Sequence, residues 1–238
     1  MNINKLLLLL SSLLFIACDS NSPYNNLDAE TNQNEEVTYK EKFINEDNCS
    51  QIIDNEFIVM CYDYQKKAVK AVSYTLLGDL MNETNIDKRP SFYVEKELKS
   101  KDRISSTDYT GSGYDKGHMA PDAAFDWSEE SLEAVYTLAN IIPQAPQVNR
   151  RSWAKLERYV RNKAEELGEL SIVNVVKYGQ RSSRMGKNRM AISKGYYKIL
   201  YNEEENYEEC FFYSNKLGVS ADGDVLDNHS VSCAVVSN

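Results

Sequence analysis

The chain has 238 residues, 42% of them hydrophobic and 26% charged, which suits one soluble, enzyme-sized core. Ten glycines and five prolines exclude collagen-like and linker architectures, and two histidines, His118 and His229, exclude a site built on three. The net charge of −9 argues against a nucleic-acid partner, but it is unevenly spread. Residues 19–48 hold eight acids against two lysines, and Glu203, Glu204, Glu205, Glu208 and Glu209 add five negative charges. Residues 177–198, in contrast, carry seven bases and no acid, and local charge is what steers an anionic substrate.

Residues 1–18 read as an export signal, with Lys5 as a thin positive start followed by an apolar run too short for a comfortable membrane span. Its end, Phe15-Ile16-Ala17-Cys18, resembles the lipobox of bacterial lipoproteins. That implies a signal over residues 1–17, a lipid anchor on Cys18 and an exported protein of the periplasm or cell surface. Residues 18–48 then form a disordered acidic tether, and residues 49–238 one domain, since no repeat or linker interrupts them. Cys49, Cys61, Cys210 and Cys233 remain, an even number that favours two disulfides in an exported chain. Of three connectivities, Cys49–Cys61 with Cys210–Cys233 closes the two short loops and is preferred.

Strands are expected over 57–64 and 68–77, then an extended piece over 89–94 bounded by Pro90. Residues 99–117 read as a polar, glycine-punctuated loop running into His118. Ser128 is a good N-cap for a helix carrying Leu132, Val135, Tyr136 and Ala139 at helical spacing. A second helix is expected over 148–167, stopping at Gly168. Further strands are expected over 172–178, 189–192, 196–201 and 210–213.

Three segments carry residue types suited to chemistry. In Asp115-Lys116-Gly117-His118-Met119-Ala120-Pro121, a neutral imidazole can accept a proton from water, and Lys116 supplies a cation for phosphate. The second is Asn140-Ile141-Ile142-Pro143-Gln144. The third runs from Asn149 to Arg161, where Glu157 and Arg161 share a helix face at i, i+4. Asn149, eight residues before Glu157, would lie about a quarter turn off that face and roughly 12 Å along the axis. One direct ligand and one acting through water is the geometry that fits a hard cation, and water-rich coordination by few protein oxygens suits Mg²⁺. His229 lies outside every motif and reads as surface or structural.

Together the three segments resemble the DNA/RNA non-specific endonuclease family, a ββα-metal group, over roughly residues 55–215. The resemblance implies an α/β (α+β) ββα-metal fold, with a mostly antiparallel sheet flanked by helices. It implies hydrolysis of DNA and RNA phosphodiesters with Mg²⁺, for which Mn²⁺ can substitute. His118 would be the general base and Asn149 the direct metal ligand, with Glu157 holding the metal through water. Arg161 would stabilise phosphate charge, and Asn140 would position the catalytic group or the scissile phosphodiester. Arg89 matches a substrate-contacting arginine upstream of the histidine. Lys116 stands where the family motif has arginine, which keeps the charge but loses the bidentate fork. No protein partner is implied. Two other classes share parts of this pattern: a catalytically weak lipoprotein that captures DNA for uptake, and a phosphodiesterase or phosphatase acting on a smaller substrate.

Overall fold

A computed structural model describes residues 37–81 and 85–236; the expected signal, Cys18 and residues 19–36 of the tether lie outside the described residues. Helix α1 (Tyr39–Phe43) precedes β1 (Gln51–Asp54), β2 (Val59–Asp63) and β3 (Ala68–Leu77). A long connection leads to β4 (Asp115–His118), α2 (Glu129–Ala134), β5 (Ile141–Gln144) and α3 (Ala154–Leu167). Then come β6 (Glu169–Lys177), the short β7 (Arg184–Met185) and β8 (Met190–Ala191), β9 (Gly195–Asn202) and β10 (Tyr207–Ser214). β11 (Ser230–Val231) and α4 (Cys233–Val236) follow.

Seven strands form one antiparallel sheet in the order β1-β2-β3-β6-β9-β10-β11. Its strands are rich in Val, Ile and Tyr, and most central positions are buried on both faces, so helices must cover both sides. On one face lies α3, which buries Leu156, Val160 and Ala164, an apolar stripe at i, i+4 and i+8. On the other, Tyr39 and Phe43 of α1 and Val236 of α4 pack near Val173, Tyr197 and Ile199. This is the expected mixed α/β architecture, an antiparallel sheet flanked by helices. Among the described residues no helix is long and apolar enough to cross a membrane. Both disulfides have the preferred local pairing, Cys49–Cys61 and Cys210–Cys233.

β4 and β5 form a separate antiparallel pair in which His118 lies opposite Ile141 and Asp115 opposite Gln144. α3 follows β5 through a short turn and the six residues Val148–Trp153, so the histidine strand, its partner and the helix make a ββα unit. Gly117 is required in it, because a Cβ at that position would run into the buried Gln144 side chain.

Several elements differ from the sequence reading. The ordered domain includes residues 37–48, which composition assigns to the tether. Thr38 caps α1 through a capping box with Glu41, and Ile44 is buried in a cluster with Cys61 and Ala71. The acids there decorate a helix whose Tyr39 and Phe43, at i and i+4, face the domain. β4, read as loop, is a strand because pairing with β5 outweighs its polar sequence. α2 begins at the Ser128 cap as expected but ends at Ala134. Beyond it Tyr93 takes over the backbone, accepting from Leu138 N and donating to Tyr136 O, and Ala139 falls in a 3₁₀ turn. The second helix opens with a π-helical stretch, Val148–Trp153, before α3 proper, and ends as expected at Gly168, whose φ is +79°.

Candidate active site

The site is assembled by the ββα unit on the sheet face that α3 covers. Asp115, at the start of β4, binds the helix: its carboxylate accepts from Asn149 Nδ2 at 3.1 Å and from Arg150 at 2.8 and 2.7 Å. With the amide nitrogen of Asn149 held by Asp115, its Oδ1 is the atom available to a cation. The π-helical opening also corrects the helical arithmetic. Eight regular α-helical steps would leave Asn149 about 80° from Glu157. The wider coil rotates less per residue, which brings the two side chains closer to one face.

His118 closes β4 between two rings, Phe92 at 5.3 Å and Tyr136 edge-on at 4.9 Å. Its Nε2 is buried without a hydrogen-bond partner in the protein. Burial pushes its pKa down, to about 4, against the Asp122 carboxylate, which pulls the other way. The imidazole is therefore neutral near pH 7, the form that accepts a proton.

Asn140 sits behind this segment, fully enclosed. Its Nδ2 donates to Ala120 O and Val135 O, its Oδ1 accepts from Ala120 N, and its main-chain oxygen accepts from Met119 N. What the side chain does is fix the backbone just after His118.

Glu157 projects from α3 into the cluster. Burial pushes its carboxyl up toward neutrality, and Lys198, on β9, opposes this more than Arg161 does. Lys198 is fully buried, and burial pushes its pKa down against the opposing influence of the Glu157 carboxyl. Arg161 donates to the main-chain oxygen of Glu157 at 3.3 Å rather than making a close pair with its carboxylate. Arg89 is held by two acids, Asp122 at 3.2 Å and Asp126 at 2.9 Å. Asp122 also accepts from Tyr136 Oη at 2.9 Å, and its charge reaches both His118 and Glu157. Lys116 lies over the Phe92 ring at 5.0 Å and lines an open cleft of about 490 Å³ with Asp115, Asn149 and Arg150. Asp122 thus links Arg89 and Tyr136 beside His118, while Lys116 and Asn149 line the neighbouring cleft with Asp115 and Arg150.

Sequence reasoning missed Asp115, Asp122 and Lys198 as members. It grouped Lys198 with a basic stretch that the fold divides. Lys177 lies on the opposite face of the sheet, over Tyr197 and Phe212. Arg184 donates to the main-chain oxygens of Gln65, Lys66 and Arg189, so it braces the β7–β8 hairpin. His229 is structural, as read: it stacks on Tyr213 at 3.7 Å and bonds Asp224 at 2.6 Å.

No three His, Cys, Asp or Glu side chains converge as a metal site among the described residues. The donor set, the Oδ1 of Asn149 among few protein oxygens, fits a hard cation held otherwise by water.

Human mitochondrial endonuclease G is 25% identical over 164 residues, covering 65% of this chain and 55% of the human protein. A nuclease from Nostoc sp. is 31% identical over 123 residues, covering 51% of this chain and 44% of that protein. The chain thus spans about half the length of these relatives. A solved complex of EndoG with EndoGI, described as revealing the mechanism of EndoG inhibition, shares the fold at a TM-score of 0.70 and 21% identity, covering 78% of this chain and 81% of that one. Residues 34–237 match the family described as DNA/RNA non-specific endonuclease, and the chain belongs to that family.

Proposed function

We propose that this protein is a metal-dependent endonuclease that hydrolyses phosphodiester bonds in DNA and RNA without reading sequence. The observation that carries the reading is the juxtaposition of a neutral histidine on β4 with Asn149, Glu157 and Arg161 on the helix that Asp115 ties to the same strand. Such a site grips phosphate and reads no base edge.

His118 accepts the proton of the attacking water, and Phe92 and Tyr136 hold its ring in place. Arg161, Arg89 and Lys116 surround the phosphate with positive charge. Asp122 and Asp126 keep the Arg89 guanidinium oriented. Asn140 acts as a positioning residue for the histidine segment. Asn149 Oδ1, and Glu157 through water, would hold Mg²⁺, or Mn²⁺ in its place. Bound there, the ion stabilises negative charge on the phosphate and the leaving oxygen. The signal and lipobox features support export and an anchor on Cys18, so the substrate would be met in the periplasm or at the cell surface.

Incubating supercoiled plasmid and, separately, RNA with Mg²⁺ or with EDTA tests the reading. Nicked and linear plasmid and shortened RNA, both suppressed by EDTA, are expected. Retention of DNA without cleavage would instead favour capture, and turnover of small diesters alone would favour a phosphodiesterase.

A further inference from the structure

The cleft beside the site holds an aromatic ring to which the hydrolytic reading gives no role. Tyr114 stands immediately before β4, and along an extended strand successive side chains point to opposite sides. Tyr114 therefore shares a side with Lys116 and His118. The Phe92 ring lies along that row, 5.0 Å from the Lys116 ammonium and 5.3 Å from the His118 ring. Gly117 points the other way, onto Gln144. Tyr114 and Lys116 both line the open cleft of about 490 Å³, next to Asn149. The Tyr114 ring is half-buried: it packs against the cluster of Tyr109, Ile141 and Met190, and among the described residues no second ring and no cation stacks on it. Its backbone is fixed, because Ser112 Oγ accepts from Tyr114 N at 3.1 Å and donates to Tyr109 O at 2.8 Å.

Among the described residues the Lys116 ammonium makes no ion pair, and it rests on the rings of Phe92 and Tyr109 at 5.0 and 5.9 Å. A half-buried cation without an acid, lining an open cleft, is set for an anion from outside the chain. We propose that this cleft is a subsite for one unpaired nucleotide of the substrate. Tyr114 stacks on its base, and Lys116, between Tyr114 and His118 in the row, holds the phosphate that joins it to the reaction centre. Every base has a π-face, so such a stack grips without reading sequence. A base inside a duplex has both faces covered by its neighbours, and it reaches the ring only by giving up its own stacking and pairing. A single strand, or an unpaired stretch of a longer molecule, is thus the form that fills the cleft. The inference rests on the nuclease reading given above and adds to it the strandedness of the substrate.

The test follows binding of fluorescently labelled strands to the whole chain by anisotropy in EDTA at one salt concentration, with circular dichroism melts to check folding. The probes are a short oligodeoxythymidylate, a duplex of the same length and an all-abasic strand of the same length. Tyr114→Leu keeps an apolar contact with the cluster and removes the π-face. It should weaken oligodeoxythymidylate binding at least about fivefold, the low end of what losing one base–ring stack costs, and change duplex and abasic binding less than about twofold. Tyr114→Phe keeps the ring and should bind the oligodeoxythymidylate as wild type does. Oligodeoxythymidylate affinity within about twofold of wild type in a folded Tyr114→Leu would overturn the proposal, as would an equal loss on the duplex or the abasic strand. If Tyr114→Leu does not fold, wild type decides: an abasic strand bound as tightly as the oligodeoxythymidylate overturns the proposal, and one bound at least about fivefold more weakly supports it. Adding Mg²⁺ to the same probes separates the two readings. If wild type cleaves neither the single strand nor the duplex, the nuclease reading falls and this inference with it. If both are cleaved while Tyr114→Leu binds the single strand as wild type does, this inference alone falls.

Discussion

Replacing Asp115 with alanine tests how the two halves of the site are joined. The carboxylate is mostly buried, with 16% of its side chain exposed, and holds Asn149 on one side and Arg150 on the other. The Arg150 side chain is 69% exposed, so that pair is worth under about 1 kcal/mol. The bond to Asn149 is charge-assisted, a class worth about 1.5–3 kcal/mol when buried, and partial exposure reduces it toward the lower end. Asp115→Ala should therefore lower folding stability by only about 1–2 kcal/mol. Its larger effect is on metal affinity, because Asn149 is then free to rotate its oxygen away. Removing such a partner costs 10–100-fold, about 1.4–2.7 kcal/mol. The assay is plasmid nicking across a Mg²⁺ titration, with Arg150→Ala as control. Asp115→Ala should shift the half-saturating Mg²⁺ at least tenfold upward and recover most of its rate at saturation, while Arg150→Ala should shift it little. An unchanged Mg²⁺ requirement in Asp115→Ala would refute the anchoring argument.

Nuclear magnetic resonance should show the His118 ring titrating near pH 4 rather than near its ordinary ~6.5; with two histidines in the chain, His118→Gln assigns the signals, and a midpoint near 6.5 would refute the burial argument. Because its folded pKa is depressed, the stability that neutral His118 contributes is full above pH 6.5 and is lost as pH falls toward 4, which denaturant midpoints at several pH values would register. Gly117→Ala forces a Cβ into buried Gln144 and should cost about 1–3 kcal/mol in denaturant unfolding, with a parallel fall in cleavage rate. Removing Cys210–Cys233 by a double alanine substitution should cost about 2–5 kcal/mol of stability yet leave the Mg²⁺ requirement unchanged, since that bond lies on the sheet face away from the site.

The residues of the site were legible in the sequence where they sit in dense motifs, and the strands β3 and β9 where apolar residues run together. What was hidden is what tertiary context decides. The strand Asp115–His118 has no apolar alternation, so only its pairing with Ile141–Gln144 reveals it. α2 ends early because Tyr93, far back in the chain, captures its backbone. The π-helical turn leaves no compositional mark, yet it changes which face Asn149 shares. Lys198 was readable in principle: a single lysine inside Tyr196-Tyr197-Lys198-Ile199-Leu200 marks a buried charge in a two-sided strand, which needs a partner. Counting it with neighbouring surface bases obscured that signal. Asp115 was in view within its motif, but its hold on Asn149 needs the fold to bring residues 34 positions apart together.

The central claim is that a neutral His118 accepts a proton from water beside a metal-assisted phosphate. The most direct measurement is the single-turnover cleavage rate of a duplex by wild type and His118→Ala at saturating Mg²⁺, alongside duplex binding in EDTA. A positioned general base contributes about 10²–10⁴-fold, so the account predicts a loss of at least that size with folding and binding retained. Cleavage by His118→Ala within tenfold of wild type would contradict it.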